Sequence, residues 1–347
     1  MYLVSTGRRA QQQLQRRYYA AETDADVTER FLGSLERAPH ARVILLGVPS
    51  DTGAGFRRGA NLGPQAIREQ LLEEDPNWSA YCREHDILDI GDVFVVPQLL
   101  DDDMLSTEQL TQCRAALYPD VPEVRRGSLP VSPLSIAARA LELVLSAAPR
   151  AKPFLLGGDH SCAWPAVKAL SNLGRSFCIV QPDAHTDLLA ERLGVKMCFA
   201  TWTFHANELL GRGGRVVQVG IRASGKPKEH WESTLGVRQF WADEILANPE
   251  RALEDVLSAV RATGLPVYLS NDIDGTDDSV ADACGTPEPG GLSVDWLLTL
   301  IERLGREVGL AGADLMEVAP LLAADHGQKT LQVAARYVRG TLEALLL

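Results

Sequence analysis

Short apolar runs that stop at turn residues recur along this chain, with helix-length amphipathic stretches between them. ARVILLGVPSD at 41–51 reads as a buried strand and ILDIGDVFVV at 87–96 as a second. Five more follow: KPFLLGGD (152–159), SFCIVQPD (176–183), RVVQVGIR (215–222), LPVYLSND (265–272) and LAGADLME (310–317), most of them ending in Asp, Asn or Glu. Helical stretches separate them: GPQAIREQLLEE (63–74), with Pro64 near its first turn, LSIAARALELVLSAA (134–148), CAWPAVKALSNL (162–173), PERALEDVLSAVRATG (249–264) and SVDWLLTLIERLG (293–305). KTLQVAARYVRGTLEALLL (329–347) closes the sequence as a last helix. Alternation of this kind predicts an α/β fold whose mostly parallel central sheet is covered on both faces.

Two regions escape the rhythm. Residues 1 to about 40 are polar and helix-permissive, and read as an N-terminal extension that packs on the domain or on a partner subunit. Residues 98–134 begin with an acidic run, LLDDDMLSTEQL, and continue into proline-rich YPDVPEVRRGSLPVSP; this reads as an irregular insertion or lid. No repeat or linker divides the remainder, so 41–347 is expected to be a single domain.

Bulk properties narrow the partners. The 347 residues are 46% hydrophobic and 23% charged, enough for a sizeable core. A net charge of −12 disfavours nucleic acid and anionic membrane and mildly favours a cationic small substrate. Six scattered cysteines with no CxxC pair argue against a zinc ribbon or a disulfide scaffold. No apolar run at the N-terminus suits a signal peptide, and none elsewhere reaches the ~18 residues of a membrane span. A cytoplasmic protein with reduced thiols is the expectation.

The chemistry gathers where parallel sheets place it, at the carboxyl ends of strands. Those ends carry Asp159 and His160, then Asp183, His185 and Asp187, then Asp272, Asp274 and Asp277, then Asp314 and Glu317. Within PDAHTDLL, strand alternation would turn Asp183, His185 and Asp187 to one face. Carboxylates crowd together at a tolerable free energy only when cations lie between them. Four carboxylates and two imidazoles, with no sulfur, suit manganese, iron(II), cobalt or nickel rather than a thiolate zinc site. Six such ligands can hold two ions at a separation of roughly 3.5–4 Å, where a shared water becomes hydroxide near neutral pH.

Taken together, LLGGDHS, PDAHTD and LSNDIDGTDDSVADACGTPEPGG resemble the three metal motifs of the ureohydrolase family, which includes arginase, agmatinase and related guanidino-acid hydrolases. LLGVPSDTGAGFRRGANLGPQAIRE, QVGIR and DLMEVAP extend the resemblance over roughly residues 42–345. It implies a three-layer α/β/α sandwich, assembly as a homo-oligomer (trimer or hexamer) and two divalent metal ions, with Mn first and Ni, Fe or Co possible. It implies His160, Asp183, His185, Asp187, Asp272 and Asp274 as metal ligands, and Glu317 as the carboxylate that receives the substrate guanidinium, a bidentate pairing. The implied reaction is attack of a metal-bridging hydroxide on a guanidinium carbon, giving urea and an amine, with Asp187, Asp274 and Glu317 in the catalytic set.

The chain also departs from that pattern. Where the family has a proton-shuttling histidine in a His-Gly-Thr-like turn, the alignment places Phe199, followed by Ala200 and Thr201. His205 is the nearest imidazole and the candidate substitute, with Cys198 a weaker one. A shuttle is worth about 10²–10⁴-fold, so its loss need not end hydrolysis. Asn61, Asn271, Asp278 and Asp282 replace commoner family residues, and the stretch after the second motif offers Glu191, Lys196 and Trp202 instead of a Ser/Asn-bearing loop. Lys196 is the candidate for meeting a substrate carboxylate. The sequence therefore supports a dinuclear-metal hydrolase of a guanidino or amidino small molecule, agmatine, a guanidino acid or a formimino compound among them. The alternative is a metal-binding pseudoenzyme or regulatory subunit that lacks the shuttle histidine.

Overall fold

The computed structural model describes residues 8–347. Eight strands, β1 (Val43–Val48), β2 (Ile87–Asp92), β3 (Lys152–Gly157), β4 (Cys178–Pro182), β5 (Val216–Ile221), β6 (Arg238–Trp241), β7 (Val267–Asp272) and β8 (Leu310–Met316), form one sheet. Its order is β2-β1-β3-β8-β7-β4-β5-β6, and each neighbouring pair is parallel. The seven strands expected from the apolar runs are present, and β6, a four-residue edge strand too short to stand out as an apolar run, is added.

Alternate residues of each strand enter two separate apolar layers. Val43, Leu45, Phe154, Leu156 and Leu269 pack with Leu297 and Ile301 of the Val294–Glu307 helix and with Tyr337, Val338 and Leu342 of the Gln328–Leu346 helix. Ile44, Leu46, Leu155 and Ile179 pack with Leu134 and Leu141 of the Pro133–Ala147 helix and with Val167 and Leu170 of the Trp164–Asn172 helix. With both faces covered, the strands are apolar at most positions, which is why they read as near-continuous runs. The result is the three-layer α/β/α arrangement. Among the described residues no helix is long and apolar enough to cross a membrane.

Seven residues of the expected N-terminal extension, 1–7, lie outside the described residues. The rest forms helices Arg8–Tyr19 and Asp24–Leu35, the second opened by a capping box between Thr23 and Asp26. Leu14 is buried in the same apolar layer as Val43 and Leu45, so this segment packs on the domain. The 98–134 segment is more regular than its composition suggests. It contains the helices Thr107–Leu117 and Glu123–Arg126. Ser106 and Gln109 make a capping box that starts the first of them, a local signal stronger than the surrounding prolines.

Sheet order decides where the chemistry falls. β3, β8, β7 and β4 are adjacent, so their carboxyl ends, bearing His160, Glu317, Asp272 and Asp183, share one end of the sheet. Gly158 allows this closeness, because a Cβ there would overlap the Ser50 carbonyl oxygen. Its own carbonyl accepts the Glu317 N–H at 2.8 Å.

Candidate metal centre

Asp183, His185 and Asp187 converge by a route other than strand alternation. β4 ends at Pro182, and 183–189 is irregular, tied to β5 by the Asp183 N–H to the Val219 carbonyl and by Gln218 Nε2 to the Thr186 carbonyl, with an isolated bridge from His185 to Ala223. Asp187 bends the segment inward with φ +51°. Such a backbone is uncommon for a non-glycine residue, and this one is held by Trp202 Nε1, which donates to Asp187 Oδ2 at 3.1 Å. Asp272 ends β7 and accepts the Asp274 N–H at 2.9 Å in the short 3₁₀ turn Ile273–Gly275. His160 opens another 3₁₀ turn directly after β3.

Around His160 Nδ1 stand Asp272 Oδ2 at 2.9 Å, Asp183 Oδ2 at 3.1 Å and Asp187 Oδ2 at 3.3 Å. Yet this buried nitrogen makes no hydrogen bond. Its other nitrogen, Nε2, lies 3.0 Å from Ser270 Oγ, whose hydroxyl donates to Asp314. That pairing places the ring proton on Nε2 and leaves the Nδ1 lone pair facing the carboxylates. On the far side, His185 Nδ1 is 3.1 Å from Asp274 Oδ2 and 3.7 Å from Asp183 Oδ1. His160, Asp183 and Asp187 form one group able to hold a metal ion, and Asp183, His185 and Asp274 form another. Asp183 belongs to both, and its two oxygens face different groups.

The charges are in conflict. Burial, with Asp183 beside it, pushes the Asp187 carboxyl well up, and burial with Asp274 and Asp183 does the same to Asp272. Glu317 is pushed up by burial, Asp272 and Asp159. Burial alone would lower the His185 imidazole, but Asp274 and Asp183 lift it to about 12. The side chains take up protons because they lack other positive charge. An unpaired imidazole lone pair aimed at three carboxylate oxygens, among all-oxygen and nitrogen donors, fits a divalent ion such as manganese, iron, cobalt or nickel.

Partners that the sequence did not single out hold the donors in place. Gln181 Nε2 donates to Asp183 Oδ2 at 2.7 Å. Its carbonyl accepts from Gln218 Nε2 at 2.9 Å, and the Gln218 carbonyl accepts from Gln239 Nε2 at 2.7 Å. The three glutamines are in register on β4, β5 and β6 and form a buried amide ladder that ends on Asp183. Thr286 Oγ1 donates to Asp274 Oδ2 at 3.1 Å. A polar residue inside an apolar strand, such as the glutamine of CIVQP or VVQVGI, was the available signal.

The remaining candidates fall elsewhere. Glu317 is beside the group, with φ +65° and its Oε1 accepting the His160 N–H at 2.9 Å. His205 is not brought to the cluster: its Nε2 donates to the Lys196 carbonyl at 2.8 Å, and its ring lies against Trp164 and Phe204. The Trp202–Leu209 helix turns it to the outside, so it does not serve as the expected substitute shuttle. Lys196 is exposed and does not line the nearby cavity, although Arg192, Leu193 and Val195 of the same stretch do. Cys198 and Phe199 do line that cavity, which has a volume of about 680 Å³. Burial pushes the Cys198 thiol up, against an acid role at neutral pH. Asp277 is tied into its own turn by Ser279 and the Gly291 N–H.

Comparison with known proteins identifies relatives of the chain. The family model described as Arginase family matches residues 41–343. The agmatinase of Bacillus subtilis is 28% identical over 318 residues, covering 90% of this chain and 94% of that protein. The guanidinobutyrase of Pseudomonas aeruginosa is 29% identical over 306 residues, covering 83% and 85%. Among solved structures, the proclavaminate amidino hydrolase of Streptomyces clavuligerus aligns with a TM-score of 0.66 at 26% identity, covering 89% of this chain and 94% of that one.

Proposed function

The chain belongs to the arginase family, and on that premise we propose that it is a dinuclear-metal hydrolase cleaving a C–N bond of a guanidino or amidino small molecule. The observation that carries the reading is Asp183, whose two oxygens belong to two adjoining ligand groups. His160, Asp183, His185, Asp187, Asp272 and Asp274 would hold two divalent ions, Mn first, with Ni, Fe or Co suited to the same donors. Bound there, the ions would supply Lewis acidity and a water acidic enough to be a nucleophile near neutral pH.

The chain's own residues do the rest. Glu317 receives the substrate guanidinium: one oxygen is fixed by the His160 N–H, and the other faces the gap beside Gly285. A guanidinium arriving there offsets the burial and the repulsion from Asp272 and Asp159 that push this carboxyl up. Hydrolysis adds water across the bond from the guanidino carbon to the substituted nitrogen, so that urea and a free amine leave. Among the described residues no imidazole besides His160 and His185 pairs with the cluster's carboxylates, so Asp187 and Asp274 are the groups that pass a proton to the leaving amine. A homo-oligomer, trimer or hexamer, working in the cytoplasm with its six cysteines free completes the reading.

The test is urea release from a panel of guanidines with Mn(II), Ni(II), Co(II) and Fe(II) each supplied. Ammonia or formamide in place of urea would mark a formimino substrate. Phe199, standing where a shuttle is expected, favours one second reading, a metal-binding pseudoenzyme. Bound metal with no product from any guanidine or formimino compound would establish it.

A further inference from the structure

The 680 Å³ cavity is lined by none of the six donors and is joined to them through Gly53, which is bonded to Asp159 next to His160. Its floor is the 53–58 segment: Gly53 N donates to Asp159 Oδ2 at 2.9 Å, and the Arg57 carbonyl lies against Gly285, which in turn borders Glu317. Much of the lining is apolar, including Leu99, Met104, Val195, Met197 and Phe199. The charged residues lining it are Arg58, Arg192 and Asp101. Asp101 is buried, with Oδ1 accepting the Asp103 N–H and the Ser135 hydroxyl, and among the described residues it forms no ion pair with either arginine. Arg58 donates to the Asp51 and Thr52 carbonyls and stands 3.9 Å from the Asp51 carboxylate.

Arg192 has no carboxylate partner among the described residues; its guanidinium stands over the Phe199 ring, 5.1 Å from the centroid. A tight turn sets it there. Arg192 and Val195 exchange both backbone hydrogen bonds, and Leu193 and Gly194 take φ +53° and +77°. A left-handed backbone suits the glycine but not the leucine, and the Leu193 side chain is 95% exposed. Both features are unfavourable for a leucine, as at sites where position matters more than stability.

We infer that Arg192, seated on Phe199, reads an anionic group at the far end of the substrate, so that the substrate class is an ω-guanidino carboxylate rather than an ω-guanidino amine. This rests on the hydrolase reading above and deepens it. The guanidinium goes to Glu317, the carbon chain follows the apolar wall, and the carboxylate meets an arginine with no other anion to satisfy it. A terminal ammonium in the same place would meet the Arg192 guanidinium and be rejected. Phe199 thereby gains a role: it is the platform under the reading residue, in a position where an imidazole would compete for the same charge.

Binding and turnover separate the two claims. Calorimetry of the metal-loaded protein with 4-guanidinobutyrate and with agmatine, ligands of similar length and opposite terminal charge, is expected to favour the carboxylate by about 10–100-fold, the worth of one charged hydrogen-bonded pair. Arg192→Glu should reverse that order, and Phe199→Ala should narrow it, both read as changes in Kd and KM. Equal or tighter binding of agmatine to the parent protein, or an Arg192→Glu variant with unaltered preference, overturns the inference. Carboxylate-selective binding with no product from any guanidine or formimino compound would instead overturn the hydrolase reading and leave Arg192 in place.

Discussion

Two regions of this molecule bury carboxylates together, and they resolve the same electrostatic problem in opposite ways. At the β2 edge, Arg68 grips Asp89 with two hydrogen bonds of 2.8 and 2.9 Å and reaches Asp92 at 2.5 Å. Burial alone would lower the Arg68 guanidinium, but Asp89 and Asp92 hold it well above its ordinary value. Even the backbone accommodates the network, since a Cβ on Gly47 would overlap the Asp92 carboxylate. At the other site, five carboxylates face two imidazoles and, among the described residues, no arginine or lysine. One cluster carries its counter-cation in the sequence; the other, on the proposed reading, would take its cations from solution. Burial therefore does not separate a structural charge cluster from a functional one. What separates them is whether the positive charge is already there.

That contrast can be broken most decisively by single substitutions. Asp272→Ala or His185→Ala should abolish turnover and lower the bound metal, read by elemental analysis of protein purified without added metal. Activity surviving with the metal gone would end the comparison. Arg68→Met should instead destabilise folding by about 3–5 kcal/mol in chemical denaturation while metal content per folded molecule stays at the parental level.

Metal itself should stabilise the protein by about 2.7 kcal/mol at a hundred times Kd, and a chelator should reverse this. The metal-free form has an unusual pH sense. Asp187, Asp272 and Glu317 are raised, as is His185, so the folded chain holds protons that the unfolded chain releases. Asp183, held low by His160 and His185 against its burial, has the opposite sign and is outnumbered. Stability with chelator should therefore fall as pH rises from about 4 to 8, while the gain from metal grows over the same range. Thermal melts with and without metal measure both. Asp272→Asn should raise metal-free stability by about 0.5–2 kcal/mol, the trade of stability for function that the charge conflict predicts.

The smallest effects are at the periphery of the site. Gln181→Leu should weaken metal binding by about 10–100-fold, as loss of an outer partner does. Gln239→Leu, two strands further out, should do less. Equal effects from both would mean that the amide ladder acts as a sheet element and not as support for Asp183.

The sequence made the strands and the donor residues legible because both are local. Apolar runs covered on two faces need no partner to be recognised, and GGDH, DAHTD and DID each sit in a few consecutive residues. The amide ladder was not legible, since Gln181, Gln218 and Gln239 become neighbours only through strand register. The convergence of Asp187 also escaped alternation, because a left-handed backbone and Trp202 produce it. The helix at Thr107–Leu117 could have been found: Ser106 and Gln109 signal its start, but the prolines that follow drew more weight. His205 was chosen for its type and proximity in sequence, and the helix carrying it turned that imidazole to Trp164.

The place of β8 in the sheet has a consequence for biosynthesis. It lies between β3 and β7, so neither half of the sheet can close on the other until residues 310–316 have left the ribosome. Up to that moment the nascent chain exposes two unpaired strand edges, a state in which chaperone capture or aggregation competes with folding. The same strand delivers Glu317, so joining the halves and completing the pocket are a single late event.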